Sequence, residues 1–307
     1  MKFRMEINML DFNEIEIREN EPLAAHSTFR IGGNAKIALF PKNVDELVSV
    51  LKNVKNCNYK YKVIGRGSNI LFDDKGFDGI IIFTKQICDT EYVHRGDVTL
   101  IKVDCGKSLT ELAGEAGKKH SLTGLEFAYG IPGTVGGAVY MNAGAYGGQM
   151  SDVVVETKYF DPADGEVKVF SGDGHKFDYR HSVFAEHPEY IILSTTLEVK
   201  EGNAEEIFAL MNKNMTSRRE KQPLEYPNAG STFKRPTGYF AGKLIEDSGL
   251  KGYTVGGAQI SEKHAGFTIN IGGATSSDVL ALIEHTKSTV KANFGVELES
   301  EIIYIPQ

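Results

Sequence analysis

Two glycine-rich turns carry the clearest chemical signal in the chain. Gly65-Arg66-Gly67-Ser68-Asn69 follows a strand-like run at 61–64, and GIPGTVGGAVYMNAGAYGGQ at 130–149 has glycine at seven of twenty positions and no charge, in a chain with 33 glycines in 307 residues. Glycine lets a backbone approach a phosphate closely and lets successive amides point into one concavity; Ser68, Asn69 and Thr134 add side-chain donors. Together such turns hold a pyrophosphate with little positive charge. Either one alone also reads as a tight turn between strands. Two common phosphate motifs are excluded by spacing. The dinucleotide turn needs a third glycine where Ile70 stands and a helix where Ile70, Leu71 and Phe72 look extended. The P-loop needs a glycine where Ile101 precedes Gly106-Lys107-Ser108.

Other chemistries find little support. Cys57, Cys88 and Cys105 are scattered with no CxxC pair, which suits a reducing cytoplasm rather than a disulfide framework or zinc knuckle. The eight histidines form no HExxH, and no metal site is expected. A net charge of −7, without a basic run interleaved with aromatics, argues against nucleic acid. The acidic start MKFRMEINMLDFNEIEIRENEP lacks an apolar core, and the longest aliphatic runs are strand-sized, so neither a signal peptide nor a membrane span is expected.

The elements that must position the turns follow from capping and periodicity. Asn43 with Glu46, Ser108 with Glu111, Asn203 with Glu206 and Thr275 with Asp278 each set a capping side chain three residues before an acid, heading amphipathic runs. In the first, Val44, Leu47, Val48 and Leu51 share a face; in the last, Val279, Leu282, Ile283 and Val290 do, and Gly295 supplies a stop. Strand-like runs lie at 61–64, 79–83, 98–104, 152–160, 166–170, 190–200, 266–271 and 298–305. The chain is α+β. Boundaries near 84 and 202 predict three segments, 1–84, 85–202 and 203–307, the last reading as α/β.

Beyond the two turns, the motifs resemble those of the UDP-N-acetylenolpyruvoylglucosamine reductases, in order from about residue 22 to 305. They are His26-Ser27-Thr28-Phe29-Arg30-Ile31-Gly32-Gly33, Gly65 to Asn69, Gly130 to Ala138, and Asn142-Ala143-Gly144-Ala145-Tyr146-Gly147. Downstream come Tyr179-Arg180-His181-Ser182-Val183-Phe184, Ala229-Gly230-Ser231-Thr232-Phe233-Lys234-Arg235-Pro236, Ala241 to Glu246, Gly256-Gly257-Ala258 and Leu298-Glu299-Ser300-Glu301-Ile302. The resemblance implies a vanillyl-alcohol-oxidase-type FAD-binding fold of two subdomains and a C-terminal substrate domain. FAD would be held without a covalent link, and NADPH would reduce it. The implied reaction turns the enolpyruvyl ether of a nucleotide sugar into UDP-N-acetylmuramate, for peptidoglycan. FAD contacts then fall to Gly65, Arg66, Gly67, Ser68, Asn69, Ile131, Pro132, Gly133, Thr134, Gly136, Gly137, Asn142, Gly144 and Ala145.

The same resemblance assigns catalysis to Ser231, Arg180 and Glu301, and the chemistry asks for such groups. Hydride arriving at the methylene carbon drives negative charge onto the next carbon and its carboxylate. Arg180 can clamp a carboxylate through two parallel bonds, Glu301 can serve there if protonated or orient a donor, and Ser231 can give a proton to carbon. In a strand at 298–305, alternation sets Glu301 on one face with Ile303 and Ile305, a setting that raises a carboxyl pKa. Ser231 follows Gly230 after the turn Tyr226-Pro227-Asn228. Without the family, an arginine near a turn reads as a surface cation, a serine after glycine as a turn hydroxyl and a strand glutamate as an exposed partner.

Lys221, Lys234, Arg235 and Gln259 are candidates for the substrate diphosphate, although the family often has asparagine where Arg235 stands, and 218–221 also reads as a solvated helix end favoured by the dipole. Only Ala185 to Glu189 separates Phe184 from the next strand, so the chain resembles the shorter subclass, which lacks an inserted tyrosine loop; the residues that cover the UDP stay open. His181 reads as packing or surface. A cytoplasmic enzyme is expected, its oligomeric state open with a monomer favoured. Two other readings stand beside this one: an oxidase or dehydrogenase of an alcohol, sugar or hydroxy acid on the same fold, and a non-catalytic flavin- or nucleotide-sugar-binding module.

Overall fold

The computed structural model describes residues 15–55 and 59–307; Cys57 and the acidic N-terminal stretch before Ile15 lie outside them. Each of the four capping pairs forms. The Asn43 side chain accepts from Glu46 N at 2.8 Å ahead of the helix Val44–Lys55, and Ser108 accepts from Glu111 N at 3.4 Å ahead of Leu109–His120. Asn203 accepts from Glu205 and Glu206 N at the head of Ala204–Lys221. Thr275 and Asp278 close a reciprocal capping box on Ser276–Phe294, which Gly295 ends with φ 69°. Thr275→Ala removes one acceptor from that helix start and is expected to cost about 1 kcal/mol, read as a lower urea midpoint at unchanged slope.

Two compact units result, each built from separated stretches of chain. Among the described residues the first comprises 15–18, 37–55, 59–65 and 79–215; the second comprises 19–36, 66–78 and 216–307. They do not coincide with the three consecutive segments expected from sequence. Residues 203–215 stay with the first unit because Ile207 and Met211 pack where a side chain at Gly117 would stand, on the helix Leu109–His120.

In the first unit a six-stranded antiparallel sheet runs in the order Glu166–Ser171, Val154–Asp161, Ile191–Glu201, Val98–Asp104, Thr90–Arg95, with Leu122–Thr123 pairing off the path to Ile191–Glu201. Its strands show the period-two pattern of a half-buried sheet: Thr99, Ile101 and Val103 are buried while Lys102 is exposed. Tyr61–Ile64 pairs in parallel with Ile80 to Phe83, in a four-stranded sheet ordered Glu16–Pro22, Asn34–Phe40, Phe77–Phe83, Tyr61–Ile64. The core gathers Leu47, Leu51, Ile80, Ile101, Leu112, Phe160, Phe184 and Leu197.

The second unit has its own core of Phe29, Leu71, Leu244, Ile245, Val279, Leu282, Val290 and Leu298. Its antiparallel sheet is ordered Asn228–Ser231, Phe267–Asn270, Ala258–Ile260, Thr254–Val255, and Ile303–Ile305 pairs in parallel with Ile70–Phe72. The strand expected at 298–305 is shorter than its pattern suggests. It begins at Ile303, and 298–302 instead closes on 232–234 through single bonds, so the alternation argument for Glu301 falls away. Among the described residues, no helix is long and apolar enough to cross a membrane.

Candidate active site

In the first unit the two glycine turns meet at Gly65 and Thr134. A Cβ on Gly65 would stand 2.4 Å from Thr134 Oγ1, so only glycine fits there. Thr134 caps the short helix Val135–Tyr140 through its hydroxyl, which accepts from Gly137 N at 3.3 Å. The 130–149 stretch spends most of its amides on the protein itself: Val135 N donates to Lys107 O, Gly136 N to Cys105 O and Ala138 N to Thr134 O. The N–H groups of Gly133 and Thr134 donate to nothing among the described residues. Ile131 lies on the same turn, its carbonyl accepting from Thr110 Oγ1 at 2.7 Å, and Pro132 follows it.

Several glycines of this stretch are demanded by packing. A Cβ on Gly136 would meet Cys105 Cβ at 2.9 Å, and one on Gly144 would meet Gln149 Cβ at 2.8 Å. The Cys105 thiol behind Gly136 is pushed up to about 12 by burial, so it holds no reactive thiolate.

Gly144–Ala145 and Gly148–Gln149 form a small hairpin, and three bonds lock its approach to the turn carrying Arg180. Asn142, 1% exposed, donates from Nδ2 to Asp178 O at 3.0 Å and accepts Ser151 N at 2.9 Å. Ser182 Oγ donates to Tyr140 O at 2.7 Å, and Arg180 Nη2 to Gly144 O at 3.2 Å. Asn142, expected to touch FAD, therefore spends its side chain on holding the loop. Arg180 itself has φ 53°, a left-handed conformation costly for a residue with a Cβ, inside a tight turn closed by Asp178 and His181. Such strain is retained where the surroundings over-determine it, which fits a residue placed for function. His181 Nδ1 lies 3.3 Å from Lys176 O and its Nε2 3.6 Å from Glu186.

In the second unit the amides of Arg66, Gly67 and Ser68 donate to nothing among the described residues. Gly67 has φ 61°, and a Cβ there would stand 2.2 Å from His26 O. Gly67→Ala therefore meets both a backbone collision and a left-handed penalty. It is expected to destabilise by at least about 2 kcal/mol and to lower flavin content, read by thermal melting and by absorbance of the purified protein.

Thr28, from the first family motif, ties this turn to the strand bearing Ser231: Thr28 N donates to Gly67 O at 3.4 Å and Thr28 Oγ1 to Asn228 O at 2.7 Å. Sequence reasoning passed over that role. The available signal was a β-branched hydroxyl two residues after His26, which is too common to single out.

Ser231 and Glu301 come together through main-chain pairing. Thr232 O accepts Glu301 N at 2.9 Å, Lys234 N donates to Glu299 O at 2.9 Å, and Phe233 bridges Ser300. Asn69 completes the cluster, with Nδ2 donating to Glu301 O at 3.0 Å and its carbonyl accepting Ile303 N at 2.9 Å. Ser231 is exposed, and its hydroxyl makes no hydrogen bond among the described residues. Of the diphosphate candidates, Lys234 pairs with Glu299 at 2.6 Å, Arg235 lies 5.0 Å over the Phe240 ring, and Gln259 Nε2 donates to Thr254 Oγ1 at 3.0 Å. Lys221 is exposed at the last turn of its helix, where Lys263 Nζ already satisfies Arg219 O at 2.8 Å.

Comparison with known proteins fits this geometry. The family profile described as "FAD binding domain" matches residues 35–171, and "UDP-N-acetylenolpyruvoylglucosamine reductase, C-terminal domain" matches 222–305. The UDP-N-acetylenolpyruvoylglucosamine reductase of Anoxybacillus flavithermus is 46% identical over 96% of this chain and 96% of its own length, and that of Clostridioides difficile is also 46% identical, over 96% of each. The solved structure of the Thermus caldophilus enzyme of that name superposes with a TM-score of 0.77 at 33% identity, covering 95% of this chain and 99% of that one. Likeness of this extent, along nearly the whole of both chains, places the protein in the UDP-N-acetylenolpyruvoylglucosamine reductase family.

Proposed function

We propose that this chain reduces the enolpyruvyl ether of UDP-N-acetylenolpyruvoylglucosamine to the lactyl ether, giving UDP-N-acetylmuramate for peptidoglycan, with FAD as cofactor and NADPH as reductant. FAD, when bound, supplies to the substrate's methylene carbon the hydride that NADPH has given it. The residues present fit such a group: each unit by itself holds unclaimed amides, 66–68 in the second and 133–134 in the first, beside glycines that admit no side chain, and each set is suited to a phosphate oxygen. Ile131, Pro132, Gly136, Gly137, Gly144 and Ala145 shape that surface.

The chain's own residues then handle charge and proton. Arg180 takes the substrate carboxylate and stabilises the charge that grows there. Ser231 gives its hydroxyl proton to the carbon left electron-rich, a base far stronger than an alkoxide in water. Glu301 orients the group that receives charge. Lys221, Lys234, Arg235 and Gln259 serve the diphosphate, Lys234 exchanging Glu299 for it. A reductant and a nucleotide precursor of this kind support a cytoplasmic location.

The observation that supports the reading is the pairing of 232–234 with 299–301, which ties the residue after Ser231, a serine whose hydroxyl bonds to nothing among the described residues, to a glutamate that Asn69 also holds. The test is rapid mixing of the yellow, non-covalently flavinylated protein. NADPH should bleach the oxidised flavin, and the enolpyruvyl nucleotide should restore its colour. Bleaching by an alcohol, sugar or hydroxy acid in place of NADPH would favour the oxidase reading instead.

A further inference from the structure

The hairpin turn after Ser261 holds a histidine whose bonding is unusual for a surface loop. His264 Nδ1 accepts the Gly266 N–H at 3.0 Å, so this nitrogen carries no proton and the imidazole is neutral. Ser261 Oγ, 2% exposed, accepts Lys263 N and His264 N, and Phe267 N donates to His264 O at 3.0 Å, which leaves the ring one position. The ring also packs edge-on against Phe267, with centroids 5.0 Å apart. Neither Gly242 nor Gly266 leaves room beside it: a Cβ on either would stand 3.2 or 2.9 Å from His264 Cε1.

The turn is linked to the reacting hydroxyl. Gly266 O accepts Thr232 N at 2.8 Å, and Ser231 stands opposite Phe267 in the strand register. Thr232 O in turn accepts Glu301 N, so the peptide after Ser231 hangs between the His264 turn and Glu301. Resting on the reductase reading above, we propose that neutral His264 is a positioning residue for Ser231, acting through the Gly266–Thr232 peptides, and that its protonation releases the proton donor.

The chemistry has a definite sign. A protonated imidazole turns Nδ1 from acceptor to donor, so two N–H groups face each other and the Gly266 bond is lost. Burial lowers the His264 pKa, which keeps the ring neutral below the ordinary imidazole range. The charged groups facing it from the helix Ala241–Asp247 and the turn after it are Glu246 and Lys251, paired at 2.9 Å, and Lys243 on that helix is held by Asp247. On its own turn, Lys263 is drawn off to Arg219 O and Glu225. Glu262 is its other charged neighbour in the turn.

The test uses the flavin-loaded enzyme in two half-reactions, with His264→Ala and His264→Asn. Asparagine keeps an acceptor near the Nδ1 position and does not titrate. In the unaltered protein, substrate-driven reoxidation should persist as pH falls through the ordinary imidazole range and decline only below it. His264→Ala should slow that step roughly tenfold or more at every pH, from a displaced donor, with bleaching by NADPH unchanged. His264→Asn should restore the rate and abolish the acid limb. Independently of turnover, the Gly266 amide resonance should shift with pH along the same curve and lose that titration in His264→Asn. Equal rates and an identical acid limb in all three proteins would overturn the role, as would a loss in His264→Ala that His264→Asn fails to repair. A reduced flavin that the enolpyruvyl nucleotide never reoxidises, even in the unaltered protein, would instead refute the reductase reading on which this one rests.

Discussion

Ser231→Ala is expected to slow substrate-driven reoxidation of the flavin by about 10²–10⁴-fold, the range a positioned general acid contributes, and to leave bleaching by NADPH unchanged. The separation follows from where the proton is needed. Reduction by NADPH moves no proton to substrate carbon, whereas saturation of the enolpyruvyl double bond cannot finish without one. Truncation should also spare the scaffold, because the hydroxyl is exposed and bonds to nothing among the described residues. Water replaces the lost donor poorly, since it is not held beside the carbon. Single-turnover absorbance traces of the two half-reactions decide the matter; equal losses in both would remove Ser231 as proton donor.

The second large effect belongs to Arg180. Arg180→Gly is expected to cost about 10²–10³-fold in the same reoxidation step, the scale of removing a group that stabilises transition-state charge. Glycine is the informative replacement because the position has φ 53°. It relieves a left-handed penalty of about 1–2 kcal/mol while losing the bond to Gly144 O, worth about 0.5–1.5 kcal/mol, and the contact with the Tyr179 ring, so gain and loss oppose each other. The expected result is a melting temperature near that of the unaltered protein with a crippled second half-reaction. Arg180→Lys should recover only part of the rate, because an ammonium meets a carboxylate as a point charge without the planar two-bond geometry. Full recovery by lysine would show that charge alone is required.

The parts of the protein written locally are legible from the order of residues. The four helix starts at Asn43, Ser108, Asn203 and Thr275 are side-chain-to-backbone bonds spanning three residues, and all four form. Strands such as 61–64 and 98–104 appear where period-two burial announces them. Where the local pattern misled, a distant partner had intervened. The alternation at 298–305 looks like one strand, yet 298–302 is drawn into single bridges with 232–234 and only Ile303–Ile305 pairs with Ile70–Phe72. The glycine stretch 130–149 reads as a set of open amides, yet the Lys107 and Cys105 carbonyls claim two of them.

Sequence alone thus determined the class of chemistry and the cofactor family, because ordered motifs and short-range capping are properties of neighbouring residues. Tertiary structure alone decided which donors stay free, that Asn142 braces the Arg180 loop, and that the peptide after His264's turn holds Thr232, next to Ser231. Those outcomes depend on groups tens to hundreds of residues apart, as when Thr28 bonds Asn228 or Asn69 holds Glu301. A polar group has several partners of nearly equal energy within reach of an unfolded chain, and only the packed core selects among them.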